Sequence, residues 1–240
     1  MLVAAAPITL LYEDAALVIV DKPAGLPVAP VPGWSAEACV QGRVAGQLGR
    51  RLWVVHRLDR DTSGALAFAC SAPAHRALSL AFEHRDVRKA YRALVAGVPV
   101  PPAGAIDLPL HEARRGKTRP AVAGEMGARE ASTAYRVLSI WRDDRQSVSL
   151  VEAVPHTGRH HQIRVHLRSI GTPVLGDSLY GRGHSLPAAA PAAGLALHAN
   201  RLDVPHPIEP RRVAAEAPWP AHLTALTRWL DSHWTAEPVS

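Results

Sequence analysis

Cysteines and long apolar segments are both scarce in this sequence. The two cysteines, Cys39 and Cys70, form no CxxC pair, which favours a reducing cytoplasm over a disulfide-bonded, secreted protein. No stretch approaches the roughly 18 uninterrupted apolar residues that a membrane-spanning helix needs. The segment MLVAAAPITL has no Lys or Arg before its short apolar patch, so it is a poor signal peptide. These absences predict a cytoplasmic protein with no membrane partner.

Motifs for common cofactors are also absent. The sequence has no GxxxxGK[ST] loop and no GxGxxG fingerprint, which argues against a nucleotide cofactor. His156, His160, His161 and His166 lie close together, but His161 and His166 are five residues apart, His160 and His161 are adjacent, and the HExxH motif of a metallopeptidase helix is absent. Ser63 does not lie in a GxSxG elbow, which argues against a serine hydrolase. We therefore expect neither a cofactor nor a bound metal.

The chain carries more basic than acidic residues. Its 27 Lys and Arg against 21 Asp and Glu give a formal net charge of +6. This surplus suits a polyanionic partner such as nucleic acid, although many unrelated soluble proteins are equally basic. Part of the charge lies in HEARRGKTRPAVAGEMGARE, residues 111–130, which lacks apolar periodicity. That segment predicts either a solvated loop or a basic contact with phosphate.

Periodic patterns predict one compact α+β unit. Strands are predicted on both sides of an acidic turn in residues 8–20, in ALAFAC, and over residues 88–98. STAYRVLSI and SVSLVEAVP, separated by WRDDRQ, predict a β-hairpin. We expect a mixed, largely antiparallel sheet flanked by helices, in a single domain over residues 1–240 with a core of about 8–235.

Four helices are predicted from capping residues and apolar spacing. The first covers SAEACVQGRVAGQL with Ser35 as its cap, and the second runs from Pro73 to Asp86 with Ser71 as its cap. The third covers TGRHHQIRVHLRSIG, where Thr157 caps the start and Gly171 ends the helix. The fourth runs from about Ala221 to His233 and buries three leucines: Leu223, Leu226 and Leu230.

Asp59 lies between two arginines in VVHRLDRDTSGALAFA, residues 54–69. Arg57 precedes it by two residues and Arg60 follows it directly. Nearby arginines favour the ionised form of a carboxylate. An ionised carboxylate suits a nucleophile or an electrostatic stabiliser, whereas a general acid needs a raised pKa. An ion-paired surface turn explains the same pattern, and the local sequence leaves both interpretations open.

The helix predicted in TGRHHQIRVHLRSIG has a polar face and an apolar stripe. The stripe consists of three residues spaced i, i+4 and i+7: Ile163, Leu167 and Ile170. His160, Arg164 and Arg168 follow one another at four-residue intervals, which would place them along another face. Arg164 has apolar neighbours, so we expect it near the apolar boundary, where Asp59 would be a natural carboxylate partner.

Tyr91 lies in the strand predicted over residues 88–98 and also has two interpretations. It is either an ordinary strand aromatic or a flat, hydrogen-bonding platform beneath a base. The local sequence does not choose between them.

Five segments together resemble the RluA-type family of RNA pseudouridine synthases. They follow the family's order and span residues 8–207: LYEDAALVIVDKPAGLPV, HRLDRDTSG, RKAYRALVAG, TGRHHQIRVHLRSIGTPVLGDSLYG and LALHANRLDVPHP. The combination of HRLDxxTSG with GRxHQIRVH is highly specific. The resemblance implies the pseudouridine synthase catalytic fold and the isomerisation of uridine in tRNA, ribosomal RNA or both. It also implies RNA as the partner, no cofactor or metal, and a monomer without an obligatory protein partner.

The resemblance implies a role for each matching residue. Asp59 is implied to be the catalytic carboxylate, Tyr91 to pack against the target uracil, and Arg164 to pair with Asp59. Arg57 is implied to enter the RNA where the uridine leaves the stack, and Ile163 to line the base pocket. Three further residues are implied contacts of RNA or substrate: His56, Arg159 and His160.

Two features distinguish this chain from many members of the family. His160 stands where the family usually has Ser or Thr, which bears on RNA contacts and leaves Asp59, Tyr91 and Arg164 unchanged. Many relatives also carry an N-terminal S4 RNA-binding domain. Because the resemblance begins near Ile8, we expect no S4 domain here.

Two other classes of function fit parts of the sequence. A noncatalytic RNA-binding protein explains the basic charge but not the combination of Asp59, Tyr91 and Arg164. A glycoside or nucleoside hydrolase would use Asp59 with a second carboxylate, such as Asp61 or Glu83, and would release free uracil. Pseudouridine formation without free uracil would distinguish the isomerase from both.

Overall fold

The computed structural model describes residues 6–33, 35–113, 116–184 and 186–239. The chain divides into two compact units. Unit 1 contains Met1–Lys89 and Ala199–Pro218, and unit 2 contains Ala90–His198 and Trp219–Ser240. The single domain expected over residues 1–240 stays a prediction.

Unit 1 begins with the two strands predicted around an acidic turn. β1 (Leu10–Glu13) and β2 (Leu17–Lys22) are antiparallel, and the Asp14 carboxylate accepts the backbone N–H groups of Ala16 and Leu17 in the turn between them. The prediction for residues 8–20 is therefore confirmed. The Asp14 carboxylate fixes the turn because it accepts both of these backbone N–H groups.

The remaining strands of unit 1 build on β2. β4 (Ser63–Ala69) pairs antiparallel with β2, so that Gly64 lies opposite Lys22 and Leu66 opposite Val20. β3 (Trp53–Val54) also pairs with β4. β11 (Leu197–Pro205) begins in unit 2 and, within unit 1, pairs antiparallel with β12 (Arg212–Glu216). Every residue of β4 is buried, in agreement with the uninterrupted apolar run ALAFA.

The helices of unit 1 confirm one predicted cap and correct another. α2 (Ala72–Glu83) begins after Ser71, whose side chain accepts the N–H of Ala74, as predicted. Ser35 is not the cap of α1 (Val40–Leu48), because a short 3₁₀ turn intervenes and the Cys39 sulfur accepts the N–H of Gly42 instead. The 3₁₀ turn Ala36–Ala38 follows Ser35 directly, so the cap of the α-helix lies four residues later than predicted.

In unit 2 an antiparallel hairpin lies at the centre of the sheet. β9 (Ser132–Arg142) and β10 (Ser147–Pro155) are the two predicted strands, and a bulge lies between Leu150 and Val151. β5 (Arg88–Ala96) pairs with β10, whereas β6 (Ala103–Asp107) and β13 (Thr235–Glu237) pair with β9. The predicted hairpin and the strand over residues 88–98 are confirmed.

Residues 111–130 are not simply a loop, so that interpretation is wrong for part of the segment. β7 (Leu110–Ala113) and β8 (Lys117–Pro120) form a separate two-stranded antiparallel sheet. Only Thr118 of β8 is buried, while Lys117 and Arg119 on either side are exposed. A strand with a single buried, polar residue has no apolar alternation, and sequence periodicity therefore does not detect it.

The two helices of unit 2 differ in how well the sequence predicts them. α4 (Ala221–His233) has the predicted bounds and buries Leu223, Leu226 and Leu230. α3 (Gln162–Ser169) is shorter than predicted, because His161 adopts a left-handed backbone with φ of 54° and the helix begins after it. The cap assigned to Thr157 is therefore wrong. The predicted end is confirmed, because Gly171 follows the last turn with φ of +81°, and the N–H groups of Gly171 and Thr172 donate to the carbonyl oxygens of Arg168 and Leu167. His160 lies outside the helix and does not share a helix face with Arg164.

The described residues confirm the α+β class with a largely antiparallel sheet. Each unit has its own apolar core, with the larger one between α4 and the strands of unit 2. Among the residues that the structure describes, no helix is both long and apolar enough to cross a membrane.

We expect the substitution Gly64→Ala to destabilise the protein by more than about 2 kcal/mol. Gly64 has φ of +113°, and a Cβ at this position would lie 2.3 Å from the carbonyl oxygen of Ala199. Urea unfolding at constant pH measures the change. The matched control is Gly46→Ala in the exposed part of α1, where no atom lies within 4 Å of an added Cβ. Equal stability of the two variants would contradict the close approach at Gly64.

Candidate catalytic site

The segment HRLDRDTSG forms a tight loop between β3 and β4 of unit 1. The N–H of Thr62 donates to the carbonyl oxygen of Asp59 over 3.2 Å, which closes a turn. Leu58 is buried beneath the loop, Asp59 is half-buried and Arg57 is exposed. The ion pair between adjacent side chains of the loop joins Arg60 to Asp61, with nitrogen–oxygen distances of 3.0 and 3.3 Å. This pair is solvent-exposed and contributes little to stability.

A buried lysine fixes the backbone of this loop. Lys22 is fully buried at the end of β2, and its Nζ donates to the carbonyl oxygens of Pro23, Arg60 and Thr62 at 2.9, 2.7 and 2.8 Å. Burial lowers the pKa of Lys22 to about 8, against the opposing charges of the Asp61 and Asp59 carboxylates. Because the ammonium binds the backbone on both sides of Asp61, the turn that carries Asp59 has a defined position.

His56 supports β4 from within unit 1. Its Nε2 accepts the N–H of Ala67 over 2.9 Å, and its ring stacks on Phe82 with 4.4 Å between the ring centroids. Burial, with a smaller effect of the charge on Lys89, lowers the pKa of His56 to about 3. The ring is therefore neutral near pH 7 and does not offer a positive charge to phosphate. The RNA contact implied for His56 stays a prediction.

Arg164 is held inside unit 2 by a carboxylate that the sequence analysis did not identify. Its Nε and Nη2 donate to the two oxygens of Asp177 at 2.7 and 2.8 Å, and both side chains are buried. The guanidinium also lies over the ring of Tyr180, 5.1 Å from its centroid. This two-point ion pair fixes the orientation of the guanidinium plane. The pairing of Arg164 with Asp59 stays a prediction.

Asp177 is itself organised by the chain that follows it. Its carboxylate accepts the N–H groups of Leu179 and Tyr180, each over 3.0 Å. Burial alone would raise the pKa of Asp177, but the hydrogen bonds and charge of Arg164, together with these two N–H groups, lower it overall. The ionised form is thus the stable one in the folded protein.

The turn before α3 is fixed by Gln162. Its Oε1 accepts the hydroxyl of Thr157 at 2.7 Å and the N–H of Arg159 at 3.0 Å. Its Nε2 donates to Ser132 and Thr133 of β9 at 2.9 and 3.0 Å. The Nε of Arg159 also donates to a backbone carbonyl, that of Glu130, at 3.1 Å. The Arg159 side chain therefore binds the backbone of unit 2, and the RNA contact implied for it stays a prediction.

Tyr91 and Ile163 both belong to the apolar region of unit 2. Tyr91 lies on β5 opposite Ala153 of β10, is half-buried and packs against the main core cluster. Ile163 is a buried member of the same cluster. These positions agree with ordinary core packing as well as with the roles implied in binding uracil.

Each unit thus contains part of the set of residues predicted from the sequence. Unit 1 carries His56, Arg57 and Asp59 in one loop, and unit 2 carries the remaining five: Tyr91, Arg159, His160, Ile163 and Arg164. The sequence analysis did not select Lys22 or Asp177. Both lie in segments on which the resemblance rests, DKPAG and GDSLYG. Their partners Arg60, Thr62 and Arg164 are distant in sequence, and only the fold reveals them.

We expect Asp177→Asn to lower the free energy of unfolding by about 3–5 kcal/mol, because it leaves the buried Arg164 charge without its carboxylate. The pKa of Asp177 is lower in the folded protein than its ordinary value of 3.8. The stabilising effect is therefore complete above that pH and is lost as the pH falls below it. Urea unfolding at several pH values measures both effects.

The matched control for Asp177→Asn is Glu152→Gln, which breaks the exposed ion pair with Arg136 on the surface of the sheet. We expect that variant to unfold almost as the parent protein does. An Asp177→Asn variant as stable as Glu152→Gln would show that the buried pair is not needed for the fold.

Comparison with known proteins gives consistent results for sequence and structure. Residues 16–169 match the family model of the RNA pseudouridylate synthases, so the match includes the Asp59 loop and α3. The chain is 35% identical over 236 residues to ribosomal large subunit pseudouridine synthase D of Zymomonas mobilis, covering 93% of this chain and 73% of that protein. It is 37% identical over 220 residues to an uncharacterized RNA pseudouridine synthase of the same organism, covering 90% and 95%.

A solved structure supports the same relationship. Human RNA pseudouridylate synthase domain containing 4 superposes with a TM-score of 0.76 at 27% sequence identity, covering 97% of this chain and 95% of that one. The α+β architecture is therefore that of a pseudouridine synthase domain. The family model spans more than half of the chain, and the relatives cover nearly all of it. The chain belongs to the family of RNA pseudouridine synthases of the RluA type, and its activity is that of an isomerase.

Proposed function

We propose that this protein converts uridine to pseudouridine in ribosomal RNA, tRNA or both, with Asp59 as the catalytic carboxylate. One observation carries the assignment of Asp59: its loop is held by the buried Lys22 ammonium, which binds the carbonyl oxygens of Arg60 and Thr62. A catalytic group must be held close to its productive geometry. A surface turn without a catalytic role would not require the burial of a charge beneath it.

The proposed reaction is an isomerisation in which atoms and electrons balance without a further reagent. The bond between C1′ of the ribose and N1 of uracil breaks, the base turns, and C5 forms the new bond to C1′. The hydrogen leaves C5 as a proton, and N1 gains one. An ionised Asp59 either attacks C1′ or helps to remove a proton from the sugar, and both routes require the charged form of the carboxylate.

The other residues are proposed to prepare the uridine for this step. Extrusion of a nucleotide from its stack costs a few kcal/mol. Stacking on Tyr91 and the insertion of the exposed Arg57 are proposed to offset that cost. Arg164, with its guanidinium oriented by Asp177, is proposed to pair with the Asp59 carboxylate and to favour its ionised form.

The RNA class is proposed from charge and from the relatives. A net charge of +6 suits a polyanionic substrate. The printed name of the Zymomonas mobilis relative assigns that protein to the large ribosomal subunit, which favours large-subunit RNA as the first pool to test here. A cytoplasmic location and a monomeric state are part of the same proposal.

The first test of this proposal is the release of tritium from RNA labelled at uridine C5. The RNA is taken from a strain that lacks the enzyme, so that the target uridines are unmodified, and is separated into tRNA and ribosomal RNA. We expect the parent protein to release tritium from at least one pool. We expect Asp59→Asn to release at least about 1,000-fold less, because removal of a nucleophile or general base costs several orders of magnitude.

The matched control is Asp61→Asn, which removes a carboxylate two residues away that pairs with the exposed Arg60. We expect this variant to keep most of the activity. Near-normal turnover by Asp59→Asn would contradict the assignment of the catalytic carboxylate. Release of free uracil by the parent protein would contradict the isomerisation itself.

A further inference from the structure

The turn that leads into α3 contains two adjacent, stacked histidine rings. The centroids of His160 and His161 lie 3.7 Å apart with 25° between the ring planes. The Nδ1 of His161 forms a hydrogen bond of 2.9 Å with the hydroxyl of Tyr180. The left-handed backbone of His161, with φ of 54°, is unfavourable for a residue with a side chain. The stacked rings and this hydrogen bond hold the turn in that conformation.

His160 connects this turn to the two-stranded sheet of β7 and β8. Its Nδ1 forms a hydrogen bond of 3.0 Å with the hydroxyl of Thr118, the buried residue of β8. The backbone N–H of Thr118 donates to the same Tyr180 hydroxyl that binds His161, at 2.9 Å. Strand β8 is therefore joined to the turn through both the backbone and the side chain of Thr118.

The opposite face of β8 presents positive charge. Lys117 and Arg119 flank Thr118 and are exposed, as the alternation of side chains along a strand requires. Arg119 also forms a two-point ion pair with Glu125, which fixes the segment after the strand and offsets part of the charge of Arg119. The position of these two cations depends on how firmly β8 is held on its buried face, and phosphates of RNA are their natural partners.

The two-stranded sheet of β7 and β8 is held less firmly than the turn that leads into α3. The turn has four hydrogen bonds through Gln162, as described above. An isolated two-stranded sheet is only marginally stable. Besides the Thr118 contacts, the sheet is supported at its ends by the paired backbone hydrogen bonds of Leu110 with Arg129 and by the exposed ion pair of Arg119 with Glu125. A small apolar cluster, made of Leu110, Ala131, Val165 and Tyr180, adds to this support. Loss of the His160 bond should therefore loosen the sheet and leave α3 in place.

We propose that His160 is a positioning residue for RNA binding, which fixes the cationic face of β8 through its hydrogen bond to Thr118. This inference rests on RNA being the substrate, as in the proposed function. It gives an indirect role to a residue for which the sequence implied a direct RNA contact.

The test separates the hydrogen bond from the ring stack. His160→Phe keeps a stacked ring and removes Nδ1, and Thr118→Val removes the hydroxyl while the backbone bond to Tyr180 remains. We expect each variant to raise the apparent KM for C5-labelled RNA by about three- to tenfold, the size expected for one hydrogen bond. We expect kcat to stay within about twofold, since α3 and Arg164 are not displaced.

The double variant His160→Phe/Thr118→Val decides whether the two residues act through one bond. We expect its KM to equal that of either single variant, because the bond can be lost only once. His160→Asn, whose side-chain amide can still bond to the Thr118 hydroxyl, should restore most of the affinity. Hydrogen exchange of the peptide covering residues 110–120 should be faster in the Phe variant than in the Asn variant.

The matched control is His156→Phe, an exposed histidine on the same turn segment, which should leave KM unchanged. An unchanged KM in His160→Phe, or additive effects in the double variant, would overturn the proposal. So would a fall in kcat with KM unchanged, which indicates a role in chemistry instead.

If the parent protein releases no tritium, the proposed function fails. Filter binding of the same RNA by the same variants then tests the positioning role separately.

Discussion

The loop that carries Asp59 depends on one buried ammonium group. Lys22 is the last residue of β2, which begins with four buried apolar residues, and its burial is stabilised because Nζ donates to three backbone carbonyl oxygens. These carbonyls belong to an irregular segment that no strand or helix satisfies. At the end of β2 the lysine side chain therefore supplies the donors that backbone N–H groups would supply within a sheet. Gly64 lies opposite Lys22 in the pairing of β2 with β4, and a side chain at Gly64 would clash with Ala199. The loop is therefore flanked by two positions that accept few other residue types.

In unit 2 a buried positive charge is stabilised by an ion pair instead of by backbone carbonyl oxygens. Arg164 is buried on a short helix, and Asp177 satisfies two of its nitrogens while accepting two backbone N–H groups in return. A packed apolar side chain would cost less to bury. The arrangement instead fixes the direction in which a charged group faces. In both units a residue implied in catalysis is thus held by buried charge that has a full set of partners.

Much of the fold could be predicted because its signals are local. Ser71 identifies the start of α2, and the three leucines of α4 give its bounds, since both patterns depend only on neighbours in sequence. The start of α3 was missed because Thr157 is a good cap by type, yet its hydroxyl binds the side chain of Gln162. β8 was missed because its one buried residue is polar and is recognised only through contacts with His160 and Tyr180. The resemblance supplied Asp59, Tyr91 and Arg164. Local sequence does not reveal that Lys22 binds carbonyl oxygens 38 and 40 residues away, or that Asp177 pairs with an arginine 13 residues away.

The number of hydrogen bonds made by Lys22 equals the number of protons on its ammonium group. An ammonium group has three protons, and the three carbonyl oxygens of Pro23, Arg60 and Thr62 use all of them. The neutral amine has only two. With the pKa of Lys22 lowered to about 8, mildly alkaline solution removes one donor from beneath the loop, and one of the three carbonyls then loses its hydrogen bond to Nζ. The hydrogen bonds that hold the Asp59 turn therefore depend on the proton count of a side chain buried beneath it.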